Sequence, residues 1–160
     1  MKMRIRGVNI TTIIYVIRHG ESPKEGNQRT RALTDKGRRD ALKVAKSLKG
    51  DGMELFVSSP YTRAVETIRC LAEYAEKEVD EIEDLRERVF APSDTRIFDK
   101  ELSPSLKESF ADPNSSFPGG ESNADCQKRA YGSMEDLLRI YQGSKNRYTW
   151  RCHDTDDGLL

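Results

Sequence analysis

Ile13-Ile14-Tyr15-Val16-Ile17-Arg18-His19-Gly20-Glu21-Ser22 is an unbroken apolar run that stops at an arginine and a histidine. The run is short, β-branched and aromatic, without polar alternation, so it predicts a strand buried on both faces. In open α/β sheets, chemistry gathers just beyond the carboxyl ends of the strands. Arg18 and His19 fall there, and Gly20 permits a sharp turn or a close backbone approach. Taken alone, the pair also fits a strand that ends in two ordinary polar residues.

A second stretch has the same design. Leu55-Phe56-Val57-Ser58-Ser59-Pro60-Tyr61-Thr62-Arg63-Ala64-Val65-Glu66-Thr67 reads as a short apolar strand running into a helix. Ser59 suits the N-cap and Pro60 the first helical position. Arg63 then lies in the first turn, where free backbone N–H groups and the helix dipole favour an anion. A cation there is unfavourable for the helix alone, and a bound anion would explain it. A solvated surface arginine is the plainer alternative.

These two strand ends resemble the histidine phosphatase superfamily, the phosphoglycerate-mutase-like group, whose signatures are R-H-G-E and a later S-S-P-x-x-R-A-x-x-T. Two further segments match in order. Leu85-Arg86-Glu87-Arg88 stands where the family keeps its acidic proton donor, and Pro118-Gly119-Gly120-Glu121-Ser122 resembles the family's G-E-S segment ahead of a helix. The resemblance covers about residues 11 to 146. It implies an α/β fold, a three-layer sandwich with a mostly parallel sheet. The expected organisation is an N-terminal extension over 1–10, an incomplete histidine phosphatase domain over 11–146 and an aberrant tail over 147–160.

At 160 residues the chain suits one domain, with 36% hydrophobic residues sufficient for a single core. Its 27 basic and 27 acidic residues cancel, which argues against bulk binding to nucleic acid or an acidic membrane. Cys70, Cys126 and Cys152 are odd in number, scattered and without metal-like spacing, as in reduced cytosolic thiols. No apolar run approaches membrane-spanning length, and residues 1–9 are basic without the apolar stretch of a signal peptide. The expected setting is cytoplasmic, with residues 1–9 a frayed or over-extended start.

Between the motifs, Glu21 to Arg31 is a polar loop holding Pro23, Gly26 and Asn27. Thr34 caps a helix whose apolar face is Ala41, Leu42, Ala45 and Leu48, ended by Gly50 or Gly52. A helix from Pro60 to about Lys77 completes a β-α-β-α alternation, the pattern of a parallel sheet. Glu78 to Leu85 suits a short edge strand. Phe90 to Pro118 is irregular, with a possible helix over 100–110. Ser122-Asn123-Ala124-Asp125 is a capping box opening a helix to about Tyr141, with Tyr131, Met134, Leu137, Leu138 and Tyr141 on its core face.

The resemblance implies that His19 is the nucleophile, a neutral imidazole nitrogen attacking phosphorus to form a phosphohistidine. Its other ring nitrogen must then be held by an acceptor such as a backbone carbonyl. Arg18 and Arg63 suit the equatorial oxygens, because guanidinium stays charged and its fork matches phosphate. The family match assigns the general acid to Glu87, which on spacing alone is one of several acidic residues nearby. Asn27, Arg29 and Arg31 are the candidate substrate contacts at the pocket mouth. The expected substrate is a small phosphorylated molecule, with no metal or other cofactor. Phosphatase activity is the first reading, mutase-type phosphotransfer the second, and an impaired phosphate-binding remnant the third; oligomeric state is left open.

The family also keeps a second histidine in a T-H-G-like turn after a late apolar strand. The corresponding residues, 145–160, contain His153 but lack the apolar strand before it and the glycine after it. Shifting the implied codons by one nucleotide from Arg147 onward changes this. Trp150 must be TGG, so its last two bases plus the first base of Arg151 give glycine either way. Permitted codons then allow G-T-H-G-D-V-M-T-L-M-M-G. The sequence-based expectation is therefore a frame-disrupted end, with the last core strand and helix missing. His153 standing in for the second histidine is the alternative.

Overall fold

The computed structural model describes residues 2–7, 10–90, 111–141 and 147–150, with residues 2–7, 10–11 and 147–150 described by their backbone course alone. Among the described residues, five strands form one sheet: β1 (Lys2–Gly7), β2 (Ile10–Val16), β3 (Leu55–Ser58), β4 (Val79–Glu81) and β5 (Arg147–Trp150). Their spatial order is β1-β2-β5-β3-β4. β2, β5, β3 and β4 run parallel, and β1 pairs antiparallel on the β2 edge.

Two expectations are corrected here. Lys2–Gly7 is not a frayed start but an edge strand, paired with β2 from Lys2 opposite Tyr15 to Gly7 opposite Ile10. It stands at the end of the strand order, with β2 as its neighbour. Nor is the last core strand missing. Arg147–Trp150 lies in the centre of the sheet, with Tyr148 opposite Ile14 on one side and Leu55 on the other. Backbone pairing with two neighbours outweighs the polar composition that argued against a strand.

Helices cover both faces, giving three layers. α1 (Asp35–Leu48) and α2 (Thr62–Tyr74) lie on one side, where Tyr15, Ala45, Phe56, Ile68, Leu71 and Ala72 form a core. α3 (Asn123–Ile140) lies on the other, where Met134 meets Ile14, Val57 and Leu85. Ile14 and Tyr15 thus point to opposite cores, as a strand buried on both faces requires.

The caps explain where two helices begin. Thr34 accepts from the Gly37 amide at the start of α1, and Ser122 accepts from the Asp125 amide at the start of α3. α2 differs from expectation. It starts at Thr62 with Tyr61 in the cap position, and Ser59 caps nothing. The Thr62 amide instead donates to the Arg29 carbonyl, so the polar loop after β2 takes over one of the helix's first donors. Tyr131 also departs from expectation: it is 61% exposed, since α3 turns only Met134 and its neighbours toward the sheet. The proposed helix over 100–110 lies outside the described residues.

Candidate active site

All four parallel strands end at one edge of the sheet. The loop after β2, the start of α2 and the segment after β4 meet there. A 3₁₀ turn (Glu83–Leu85) follows β4 and is tied to β3 by the Ile82 amide donating to the Ser58 carbonyl. Glu87 lies two residues beyond that turn.

His19 stands three residues past β2 and is half-buried. Its Nδ1 lies 2.5 Å from the Gly20 carbonyl oxygen. A carbonyl oxygen only accepts, so Nδ1 carries a hydrogen, and in the neutral ring it is Nε2 that keeps the lone pair. Gly20 itself is fixed: its amide donates to Thr67 Oγ1, and a Cβ there would fall 2.6 Å from the Gly37 carbonyl oxygen. Only glycine lets the start of α1 approach this loop so closely. Thr67 Oγ1 in turn donates to the Arg63 carbonyl one helical turn back.

Arg63 is the largest fully buried side chain among the described residues, at 0% exposure. Its Nη1 donates to the Gln28 carbonyl and its Nη2 to Glu87. The Tyr61 ring packs against the guanidinium at 4.8 Å. Burial pushes the Arg63 guanidinium down from its ordinary value, and Glu87 opposes that shift while Arg31 adds to it. Burial, helped by the Glu87 charge, holds the Tyr61 hydroxyl above its ordinary value. Among the described residues, Arg63 Nε, Arg31 Nε and Ser59 Oγ are buried without a hydrogen-bond partner. Two of these atoms belong to like-charged neighbours, an arrangement that a bound anion would relieve.

The remaining candidates divide. Arg18 is exposed beyond the end of β2. Asn27 uses its side-chain oxygen on the amides of Arg29 and Thr30, so it shapes the loop. Arg29 forms a bidentate ion pair with Glu83 on the surface. Arg31 donates to the Pro23 carbonyl at 2.5 Å and carries its charge toward Arg63.

Four supporting residues were given no role from sequence. Thr67 links the two motifs, and its place four residues after Arg63 was the available signal. Glu66 accepts from the Leu33 amide and anchors the same loop to α2. Arg88 is 7% exposed and donates to the Glu121 and Ser115 carbonyls and to Asn123. Arg129 grips both Glu121 oxygens. These two arginines lock the segment after β4 onto α3 and so set the height of Glu87.

The family model of the histidine phosphatase superfamily (branch 1) matches residues 14–150. The chain belongs to that superfamily. It is 24% identical over 139 residues to "Uncharacterized phosphatase PhoE" of Bacillus subtilis, covering 84% of this chain and 68% of that protein. It is 26% identical over 141 residues to "Probable phosphoglycerate mutase GpmB" of Cronobacter sakazakii, covering 82% and 66%. The chain thus spans about two thirds of the length of these relatives.

Among solved structures, a mycobacterial glucosyl-3-phosphoglycerate phosphatase superposes with a TM-score of 0.72 at 20% identity, covering 85% of this histidine phosphatase chain and 71% of its own. Bacillus stearothermophilus YhfR gives 0.70 at 23%, covering 87% and 73%. The α-ribazole phosphatase of Shigella flexneri gives 0.68 at 23%, covering 88% and 73%. At these identities the structures establish the fold: an α/β sandwich of the phosphoglycerate-mutase-like kind. No helix among the described residues is long and apolar enough to cross a membrane.

Proposed function

We propose that this chain is a phosphomonoesterase that passes the phosphoryl group of a small phosphoester to His19 and then to water. His19 Nε2 attacks phosphorus as the bond to the leaving oxygen breaks, and Glu87 gives that oxygen its proton. Water then attacks the phosphohistidine with Glu87 accepting a proton, and inorganic phosphate leaves. Arg63 and Arg18 hold the equatorial oxygens, with Arg31, Arg29 and Asn27 on the substrate side.

The observation that carries this reading is the buried Arg63 guanidinium, whose Nε has no partner among the described residues. The Nδ1 contact of His19 with Gly20 supports it by leaving Nε2 as the nucleophilic nitrogen. Named relatives and structural neighbours include phosphatases and a mutase of small phosphorylated compounds, which favours that substrate class.

Turnover of an aryl phosphate tests it, together with trapping of an acid-labile, base-stable phosphoryl adduct. Both are expected in the wild type and lost in His19→Ala. An adduct that persists in His19→Ala removes the nucleophile assignment. Transfer to a second phosphoester in place of water would favour the mutase reading. Arg63→Lys should not restore what Arg63→Ala loses, because a bidentate contact reduced to a point charge leaves a deficit of about 1–3 kcal/mol.

A further inference from the structure

Arg63 and Glu87 are ion-paired with each other, although the proposed reaction gives them separate tasks. The pair is sheltered, with Arg63 at 0% and Glu87 at 26% side-chain exposure. Arg63 gives Nη1 to the Gln28 carbonyl and Nη2 to Glu87, and its Nε–H is the buried donor with no partner among the described residues. An incoming oxyanion finds its donor at Nε. The second N–H of that same bidentate edge belongs to Nη2, the nitrogen that holds Glu87. Anion and carboxylate therefore meet on one guanidinium. Two negative groups sharing it repel, and protonation of the carboxylate relieves the repulsion.

We propose that Arg63 couples these events: an oxyanion bound at its Nε edge draws a solvent proton onto Glu87, so the ligand itself arms the proton donor. The Glu87 carboxylate plus one proton becomes the acid. When that proton departs with the leaving oxygen, the carboxylate returns to Arg63. The catalytic meaning of the proton rests on the phosphatase reading above; the coupling does not.

Charged and titratable groups surround the pair among the described residues. Tyr61 stacks on Arg63 and senses Glu87, Arg29 and Arg86, while Arg31 bears on Arg63. Arg18 and His19 end the neighbouring strand, linked to α2 through Gly20 and Thr67. Of these groups only an ordinary histidine titrates between about pH 5 and 7, so His19 is the competing source of a linked proton.

Sulfate is a suitable probe, because its charge does not change over that range. Calorimetric titration of the full chain with sulfate, in buffers of different ionisation enthalpy, measures both affinity and proton uptake. The wild type should take up more protons per sulfate than Glu87→Gln. Its affinity gain from about pH 7 to pH 5 should exceed that of Glu87→Gln by about two- to threefold, the part of a one-unit, tenfold linkage that is expressed above an ordinary glutamate midpoint. Glu83→Gln, which alters the surface pair with Arg29, should behave as the wild type.

Equal uptake and equal gain in wild type and Glu87→Gln overturn the coupling, as does a failure of sulfate to bind. If Glu87→Gln does not fold, wild type labelled at the glutamate δ-carbons is titrated by NMR with and without sulfate. One carboxyl midpoint should rise by about one unit, and no rise overturns the proposal. Absent aryl phosphatase turnover alongside intact proton linkage would reject the phosphatase reading alone.

Discussion

The Gly20 amide donates to Thr67 Oγ1 at 3.0 Å, and the same hydroxyl donates to the Arg63 carbonyl at 2.7 Å. One side chain thus joins the loop carrying His19 to the helix turn carrying Arg63. Thr67→Val keeps the shape and removes both bonds, leaving the Gly20 amide unpaired. The expected loss is about 1–3 kcal/mol of stability, with turnover reduced further because His19 is no longer registered against Arg63. Thr67→Ser should recover most of both. Denaturant unfolding and aryl phosphate kinetics on the three proteins check this.

Gly37 and Gly132 should respond in opposite ways to alanine. A Cβ on Gly37 would lie 2.1 Å from the Glu21 carbonyl oxygen, a backbone atom that cannot swing away. Gly37→Ala should cost about 1–3 kcal/mol or more, through forced backbone shifts at the loop. Gly132, within α3, has open space where its Cβ would stand. Gly132→Ala should stabilise by about 0.5–1 kcal/mol. Thermal midpoints of both variants against wild type decide the matter.

Glu121 makes stability depend on acid. Burial pushes its carboxyl up, but hydrogen bonds from Arg129 and the Val89 amide, with Arg86 nearby, bring it below its ordinary 4.5. A depressed carboxyl stabilises the fold above its unfolded value, and that contribution is lost as pH falls through the folded value. Glu121→Gln should therefore cost about 3 kcal/mol near neutrality, by leaving Arg129 with an uncompensated charge. The gap to wild type should narrow below about pH 4.5 and close as both are acidified. Urea titrations at pH 7, 5, 4 and 3 would show this; a gap constant across them would contradict it.

The reading of residues 147–160 can be tested by expression. A version restored by one nucleotide, carrying G-T-H-G in place of Arg147 to Trp150, should turn over an aryl phosphate about 10²–10³ faster, the contribution of one regained donor to the transferring group. If the two chains match, and His153→Ala abolishes activity of the present one, His153 is the second catalytic histidine.

What the sequence made legible was local. The apolar run ending at Arg18, the Thr34 cap and the Ser122 box each rest on residues within a few positions of one another, and each matches the fold. Long-range pairing was hidden. Arg147–Trp150 reads as a polar tail until its backbone is placed between β2 and β3, and Lys2–Gly7 reads as frayed until β2 lies beside it. Arg88 and Arg129 look like surface charge because carbonyls they bind, those of Glu121 and Ser115 for Arg88 and of Asp84 and Arg86 for Arg129, come from distant segments. At the candidate site, residue types were recognisable, but the Arg63–Glu87 pair and the linking hydroxyl of Thr67 required the packing.

The position of β5 has a consequence for how the chain acquires its structure. Among the described strands, β2 and β3 are joined through β5, which follows the other four in the sequence. During synthesis β1 and β2 can zip as a hairpin and β3 can join β4, but these remain two half-sheets until the ribosome has released residues 147–150, in the last tenth of the 160 residues. Closing a loop from Ile13 to Arg147 is a slow, high-contact-order step, so the halves wait with facing edges that other chains can pair with. Premature termination or slow release in that interval would favour aggregation over assembly.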